Sequence, residues 1–265
     1  GHIQMLMASG VPEVVGAALD PGDIPEDEAA RRVSAALCGG HIETGPAATG
    51  RVNLYAKANG VFLVNKDSTD RLNRIDPAIT FATLPQFAPV GAGQMVATAK
   101  VIPLAVAGQF LAQIDAAAQS GSIEAVCVAP FHARKIAVIS TLLPGLKPSV
   151  IDKTLAVLAA RLTPSGSDVI AAIRVPHQED ALAQALERAR LAADIIVIFG
   201  ASAVIDSEDV IPAAITRAGG VVEHVGMPVD PGNLLVLGSL QNTRIIGAPG
   251  CARSPKENGF DHVLN

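Results

Sequence analysis

From Lys135 to the end of the chain, apolar runs of strand length alternate with stretches of helical character, and few folds accept that rhythm. The order reads strand KIAVIST (135–141), helix 150–162, strand DVIAAIRV (168–175), helix 179–192, strand DIIVIF (194–199), helix 209–218 and strand VVEHVGM (221–227). Two shorter strands, LLVLGSL and TRIIGA, meet at Gln241-Asn242 as a hairpin, and a last helix spans 255–263. Strands that alternate with helices build a parallel sheet with helices laid on it. The runs are almost continuously apolar, as strands covered on both faces are. The fold class expected is α/β: a three-layer α/β/α domain with a mainly parallel sheet, preceded by a smaller α+β domain.

That smaller domain is read over residues 1–120, and the α/β domain over 121–265, with Ser120-Gly121-Ser122 as the punctuation between them. Before it, HIQMLMASG reads as a short helix ending at Gly10, VPEVVGAAL as a strand, and EDEAARRVSAALC as a helix opened by Asp23 and Glu26. RVNLYAKA and GVFLVNK flank Asn59-Gly60, a strong hairpin signal. DSTDRLNRI follows as a helix opened by Asp67 or Ser68. Then come a turn-rich connection, TLPQFAPVGAGQ, the strand MVATAKVIPLAV, and a helix over 107–118.

Charge and composition exclude several function classes. A net charge of −5 opposes binding to a phosphate backbone, and with no Trp and a single Tyr there is little to stack on bases. No apolar stretch approaches the ~20 residues of a membrane span. Cys38, Cys127 and Cys251 are too few and scattered for a disulfide framework or zinc site, which suits a reducing, cytoplasmic setting. The opening Gly1-His2 reads as an expression scar, so the natural N-terminus is open.

The polar residues of the second half gather where strands empty into loops. In open α/β sheets, ligands bind beyond the carboxyl ends of the strands. Loops of small residues that feed helices also offer free N–H groups and a favourable dipole to an anion. Three such loops stand out. STLLPGLKPSVIDKT offers Ser149 with Asp152 as a capping box, flanked by Lys147 and Lys153. GASAVIDSEDV places Ser202 in a tight turn, with Asp206 or Ser207 capping the next helix. GAPGCARSPKENG reads as an N-cap at Ser254, Pro255 at the first helical position and Glu257 at the third, with Arg253 and Lys256 beside the turn's amides. Each loop has a plain reading as a helix cap and a functional one as an anion site; two cations in the last loop favour the anion. His177 alone of the histidines falls at a strand end beside these loops. Cys251 reads as a small packing residue or as a thiolate activated by the loop. No phosphate loop, HExxH pair or GxSxG elbow is present, and no metal site is expected.

Over roughly 133–264 these residues resemble the molybdopterin-binding fold shared by molybdopterin adenylyltransferases and molybdotransferases. Val138-Ile139-Ser140-Thr141 resembles the family's first strand and Ser-Thr turn. Ser149-Val150-Ile151-Asp152 stands where those enzymes carry an Arg-Asp-Ser-Asn-like helix start, so Asp152 matches its aspartate. Phe199-Gly200-Ala201-Ser202 is similar to a Gly-Gly-Val-Ser turn, with Asp206 or Asp209 near the acid that follows. Gly247-Ala248-Pro249-Gly250 is similar to Gly-Leu-Pro-Gly. The departures are chemical: Val-Pro-Asp-Asp becomes Val175-Pro176-His177-Gln178, and Lys-Pro-Gly-Lys becomes Asp230-Pro231-Gly232-Asn233. The PGCARSPKENGFD ending and the GRVNLYAKANGVFLV segment are similar to a bacterial subgroup in which this module precedes a cytidylyltransferase-like module.

The resemblance implies a ligand, molybdopterin or a related phosphorylated pterin or nucleotide, held in molybdenum cofactor biosynthesis. It implies ligand contacts at Ser140, Thr141, Gly200, Ala201, Ser202, Gly247, Pro249, Gly250, Arg253, Ser254 and Lys256. Asp152 and Asp206 would be the catalytic carboxylates, acting with Mg²⁺ and a nucleotide if the protein transfers nucleotidyl or molybdate groups. The other class is a non-catalytic binding or scaffold module serving a nucleotidyltransferase partner. Neither nucleic acid nor membrane is an expected partner, and a homo-oligomer is.

Overall fold

The computed structural model describes residues 2–13, 16–119, 125–145 and 147–264, which fall into two compact units, Gly1–Pro130 and Phe131–Asn265. The boundary expected at 120/121 lies outside the described residues.

The first unit contains α1 (His2–Ala8), β1 (Asp23–Pro25), α2 (Glu26–Leu37), β2 (Ile42–Thr44), β3 (Arg51–Ala56), β4 (Gly60–Val64) and α3 (Lys66–Asn73). It continues with β5 (Ile79–Thr83), β6 (Pro89–Val90), β7 (Met95–Val101), β8 (Ala105–Ala107), α4 (Gly108–Gln119) and β9 (Val126–Pro130). All its pairings between named strands are antiparallel: sheets β2-β3-β7-β5 and β6-β4-β9, and the pair β1-β8. α2 turns Ala29, Ala30, Val33 and Leu37 inward at helical spacing, onto Leu54, Phe62, Ala99 and Leu111.

Several local expectations fail in this unit, each for a tertiary reason. Asn59-Gly60 does not make a hairpin, because β3 and β4 belong to different sheets. Gly60 instead lies opposite Pro130 of β9, where a Cβ would stand 2.2 Å from the Ala129 carbonyl oxygen. Residues 11–13 and 16–19, expected as a strand, form no regular element, and Val14-Val15 lie outside the described residues. Asp23 does not cap α2: its carboxylate accepts the Asp20 N–H at 2.9 Å. The cap of α3 is Asn65, which accepts the Ser68 N–H, rather than Asp67 or Ser68. MVATAKVIPLAV splits into β7 and β8 around Pro103.

The second unit follows the predicted alternation. It runs β10 (Lys135–Leu142), α5 (Pro148–Leu162), β11 (Asp168–Pro176), α6 (Glu179–Ala189), β12 (Ile195–Phe199), α7 (Val210–Arg217), β13 (Val221–Val225), β14 (Val236–Leu240), β15 (Thr243–Ala248) and α8 (Gly259–Leu264). Short 3-10 helices occupy Thr163–Ser165 and Gly250–Arg253. The six strands are ordered β11-β10-β12-β15-β14-β13. The first four are mutually parallel, and β14 and β13 add antiparallel. β14 and β15 form the hairpin expected at Gln241-Asn242.

Neighbouring residues on a strand point to opposite faces, and both faces here are covered. Ala137, Ile139, Ile196 and Ile198 pack with Leu182 and Leu186 of α6 and Ile211 and Ile215 of α7. Ile136, Val138, Val197 and Phe199 pack on the other side with Leu158 and Leu162 of α5, Ala252 of the 3-10 helix Gly250–Arg253, and Phe260 of α8. The Phe199 and Phe260 rings lie 6.4 Å apart at 55°. Each such fully buried Leu, Ile or Phe contributes about 1.5–3 kcal/mol of transfer free energy. Continuous apolar strands with helices on both sides give the three-layer α/β/α architecture that was expected. Four parallel strands then deliver four loops to one edge.

The last helix departs from its expected start. Ser254 is not its N-cap, and residues 254–258 are not helical; α8 begins at Gly259. Arg161, at the end of α5, holds this stretch open. Its guanidinium donates to the carbonyl oxygens of Ala252, Ser254 and Lys256 and pairs with Asp261 at 2.6 Å. Carbonyls taken by a guanidinium are not offered to a helix.

A cleft at the carboxyl edge of the parallel strands

The loop after β12 is shaped by Gly200. A Cβ there would lie 2.8 Å from the Ser202 carbonyl oxygen and 3.1 Å from Ile211 Cδ1, so only glycine permits the reversal. Its side of the cleft runs from Gly200 to Val204. The loop after β15 supplies Ala248, Pro249, Gly250 and Arg253, while Val150 of α5 and Leu234 complete a cavity of about 220 Å³. A wider depression of about 570 Å³ lies by α6 and α7, but its Arg217 is already paired with Glu179 at 3.2 Å and with Asp180. The smaller cleft is the one at the strand ends, where a parallel sheet presents its loops.

Sequence reasoning placed an anion on free backbone amides, and the structure engages several of those amides internally. Ala201 N–H donates to Thr141 Oγ1 at 2.9 Å, and the amides of Ile205 and Asp206 both donate to Asp209 Oδ2. Glu208 N–H donates to Asp206 Oδ1. In the second loop Ala252 N–H reaches Pro249 O, Ser254 N–H reaches Cys251 O, and Lys256 N–H reaches Ser254 Oγ. The cleft also presents a charged side chain.

That side chain is Arg253. Its Nη1 donates to Thr154 Oγ1 of α5 at 3.0 Å, its Nη2 donates to Gly200 O at 2.9 Å, and its guanidinium carbon lies 5.2 Å from the Phe199 ring centroid. The group is half-buried, and among the described residues no carboxylate pairs with it. Burial pulls its pKa below the ordinary arginine value, since desolvation disfavours the cation. A guanidinium remains charged under such a shift. A partly desolvated cation with neutral partners attracts an anion more strongly than one in water does.

A second polar group spans the same edge. Thr141 is the penultimate residue of β10, His177 follows β11, and Ser202 follows β12, so three neighbouring strands each contribute a residue. Thr141 Oγ1 and His177 Nδ1 are 2.8 Å apart, as are His177 Nε2 and Ser202 Oγ. Thr141 is 1% exposed, whereas Ser202 is exposed and lines the cleft. Burial lowers the His177 pKa from 6.5, opposed by the charge of Asp209.

Of the residues named from sequence, Gly200, Ala201, Ser202, Pro249, Gly250 and Arg253 share this cleft. Ser140 and Thr141 are buried and do not line it. As strand neighbours they point to opposite faces. Gly247 is buried within β15, opposite Val236. Ser254 and Lys256 belong to the stretch held by Arg161, and neither lines the cleft. Asp152 is exposed and pairs with Arg174 at 3.0 Å; Asp206 is exposed and caps its own turn. Neither carboxylate lines the cleft. Among the described residues no group of three His, Cys, Asp or Glu gathers at metal-binding distances. The Cys251 thiol contacts Asn258 Oδ1 at 3.6 Å. Sequence reasoning missed Arg161, whose place in the last turn of α5 reads only as a favourable helix-end charge. It also missed Thr154 and Leu234, which carry no motif.

Residues 135–264 match the family described as "Probable molybdopterin binding domain". No curated protein matches the chain. Solved structures similar to it include the molybdopterin biosynthesis MoeA protein from Pyrococcus horikosii, at 19% identity over 86% of this chain and 74% of that one, TM-score 0.33. Another is the molybdopterin biosynthesis enzyme MoaB from Thermus thermophilus, at 19% identity over 49% of this chain and 89% of that one, TM-score 0.37. A third is CinA from Thermoplasma acidophilum, a protein of unknown function, at 17% identity over 46% and 90%, TM-score 0.33. No helix among the described residues is long and apolar enough to cross a membrane. Residues 135–264, within the second unit of this chain, thus belong to the probable molybdopterin binding domain family.

Proposed function

We propose that the cleft between the β12 and β15 loops binds molybdopterin or a related phosphorylated pterin or nucleotide, as a step in molybdenum cofactor biosynthesis. The observation that carries this reading is Arg253, a half-buried guanidinium at the cleft with neutral partners only. Arginine suits phosphate because its fork can donate two parallel hydrogen bonds, and such charge-assisted bonds are roughly twice as strong as neutral ones. Val150, Val204, Leu234 and Pro249 offer apolar walls to the remainder of the ligand.

Whether the domain also transfers nucleotidyl or molybdate groups is a separate matter. Asp152 and Asp206, the candidate carboxylates for Mg²⁺-assisted transfer, do not line the cleft, and this favours a binding or scaffold module that serves a cytidylyltransferase-like partner. A cytoplasmic setting and assembly as a homo-oligomer belong to the same proposal. A turnover assay with molybdopterin, ATP and Mg²⁺ separates the two: the binding module gives no adenylylated or metallated product, and a transferase does. A structure with a pterin phosphate or sulfate soaked in tests the binding itself, with density expected against Arg253.

A further inference from the structure

His177 bridges Thr141 and Ser202, and the direction of the hydrogen bonds along that bridge decides what Ser202 can do. A hydroxyl oxygen hydrogen-bonded to a histidine on a cleft wall has two readings. In one, neutral Nε2 accepts the serine proton and activates a nucleophile. In the other, Nε2–H donates to the serine oxygen and leaves the serine proton free. The tautomer separates them, and the group on the far nitrogen sets the tautomer.

That group is Thr141, which is 1% exposed. Its Oγ1 has two hydrogen-bonding partners, the Ala201 N–H at 2.9 Å and His177 Nδ1 at 2.8 Å. The amide can only donate, so the Thr141 oxygen accepts from it. If Nδ1 were protonated it would donate to the same oxygen, and the Thr141 proton would be left without an acceptor. A buried donor with no partner carries its full desolvation penalty, which disfavours that tautomer roughly 5- to 150-fold. The satisfied arrangement runs one way: Ala201 N–H to Thr141 Oγ1, Thr141 O–H to His177 Nδ1, and His177 Nε2–H to Ser202 Oγ. Lowered basicity of His177 through burial keeps the ring neutral near pH 7, as this relay requires.

We infer that His177 is a positioning residue that holds Ser202 Oγ as an acceptor, so that the Ser202 hydroxyl proton is presented to the cleft and selects a ligand carrying anionic oxygens. With Nδ1 accepting from Thr141 and Nε2 protonated, His177 turns no lone pair toward Ser202, so Ser202 is a hydrogen-bond donor and not a nucleophile. Ser202 and Arg253 line the same cleft, one with a neutral donor and one with a charged donor, and a phosphoryl group can accept from both. The inference rests on the reading of the cleft as a ligand site, but the tautomer can be tested without a ligand.

The direct test is a long-range proton–nitrogen correlation spectrum of uniformly ¹⁵N-labelled protein, with the His177 ring assigned by its loss in His177→Gln. The Nε2–H tautomer is expected, and an Nδ1–H tautomer overturns the proposal. Thr141→Val, which keeps the shape but removes the donor, should release the bias toward a mixture of tautomers, while Thr141→Ser should retain it. An unchanged ring in Thr141→Val overturns the relay. A fluorophosphonate probe should leave Ser202 unlabelled; labelling there means that His177 acts as a base, and also overturns it. Titration with inorganic phosphate, followed by ³¹P line width, should show affinity lowered roughly 10- to 150-fold in Ser202→Ala, the loss of one hydrogen bond to a charged group. His177→Phe, which keeps a ring and removes both nitrogens, should lower it by a smaller factor. Equal phosphate affinity in wild type and Ser202→Ala overturns the donor role. Failure of wild type to bind phosphate at all, with the Nε2–H tautomer seen, counts against the proposed function and leaves the relay standing.

Discussion

Two arginines that contact the loop after β15 or its neighbours show how the same residue type divides between structure and function according to its partners. Arg161 is 10% exposed and Asp261 16% exposed, so their ion pair is largely desolvated, unlike the surface pair Arg31–Glu28 at 57% and 44%. Arg161→Met leaves Asp261 partly buried without its cation and frees three carbonyls, and should cost about 3–5 kcal/mol in denaturant unfolding. Arg31→Met should cost under about 1 kcal/mol. Equal losses would refute the assignment of Arg161 to the fold. His177 adds a pH dependence. Its folded pKa is below the ordinary 6.5, chiefly through burial, so the unfolded chain binds the proton more readily. The stability it contributes is full above about pH 6.5 and falls as pH drops through that value toward the lower folded one. A melting series from about pH 7.5 to about pH 5 should therefore fall less steeply in His177→Gln than in wild type.

At the scale of elements, the second unit was legible and the first was not, for a physical reason. A strand covered on both faces must be apolar throughout, so KIAVIST, DIIVIF and TRIIGA announce themselves and their order fixes the architecture. In the first unit short antiparallel strands pair at long range, and Asn59-Gly60 gives a local signal that the distribution of β3 and β4 between two sheets overrides. The Ser254-Pro255-Lys256-Glu257 pattern misleads in the same way, because a guanidinium 93 residues earlier takes the Ser254 carbonyl. The residue that does organise the turn into α8 is Asn258. It is 6% exposed, its Oδ1 accepts the Phe260 N–H at 3.1 Å, and its Nδ2 donates to Lys256 O at 2.8 Å. Asn258→Ala should cost about 1–2 kcal/mol, and Ser254→Ala under about 0.5 kcal/mol. Thermal melts of the two variants check the order, and the reverse ranking would restore Ser254 as the cap. Within the site, the loops were legible because glycines and strand ends mark them. The contacts of Arg253 were not, because Thr154 and Gly200 O approach only through packing.

At the scale of the molecule, the second unit has its own sheet and an apolar cluster on each face, formed from residues of that unit. Residues 131–265 expressed alone should unfold in a single cooperative transition and keep any affinity for a pterin phosphate that the whole chain shows. A fragment that is molten, or that folds without binding, would mean that the site needs more than this unit. The central claim is that Arg253 holds an anion in the cleft, and a calorimetric titration with a pterin phosphate tests it most directly. Arg253→Lys keeps the charge but loses the fork, and Arg253→Ala loses both. The variants should be compared only after melts show them folded, since Arg253→Ala also removes donors to Thr154 and Gly200 O and should cost about 1–3 kcal/mol of stability. The expected result is binding by wild type, weaker binding by Arg253→Lys, and a roughly ten- to hundredfold loss in folded Arg253→Ala. Equal affinity in wild type and Arg253→Ala would contradict the claim and leave Arg253 as a brace between α5 and the β12 loop.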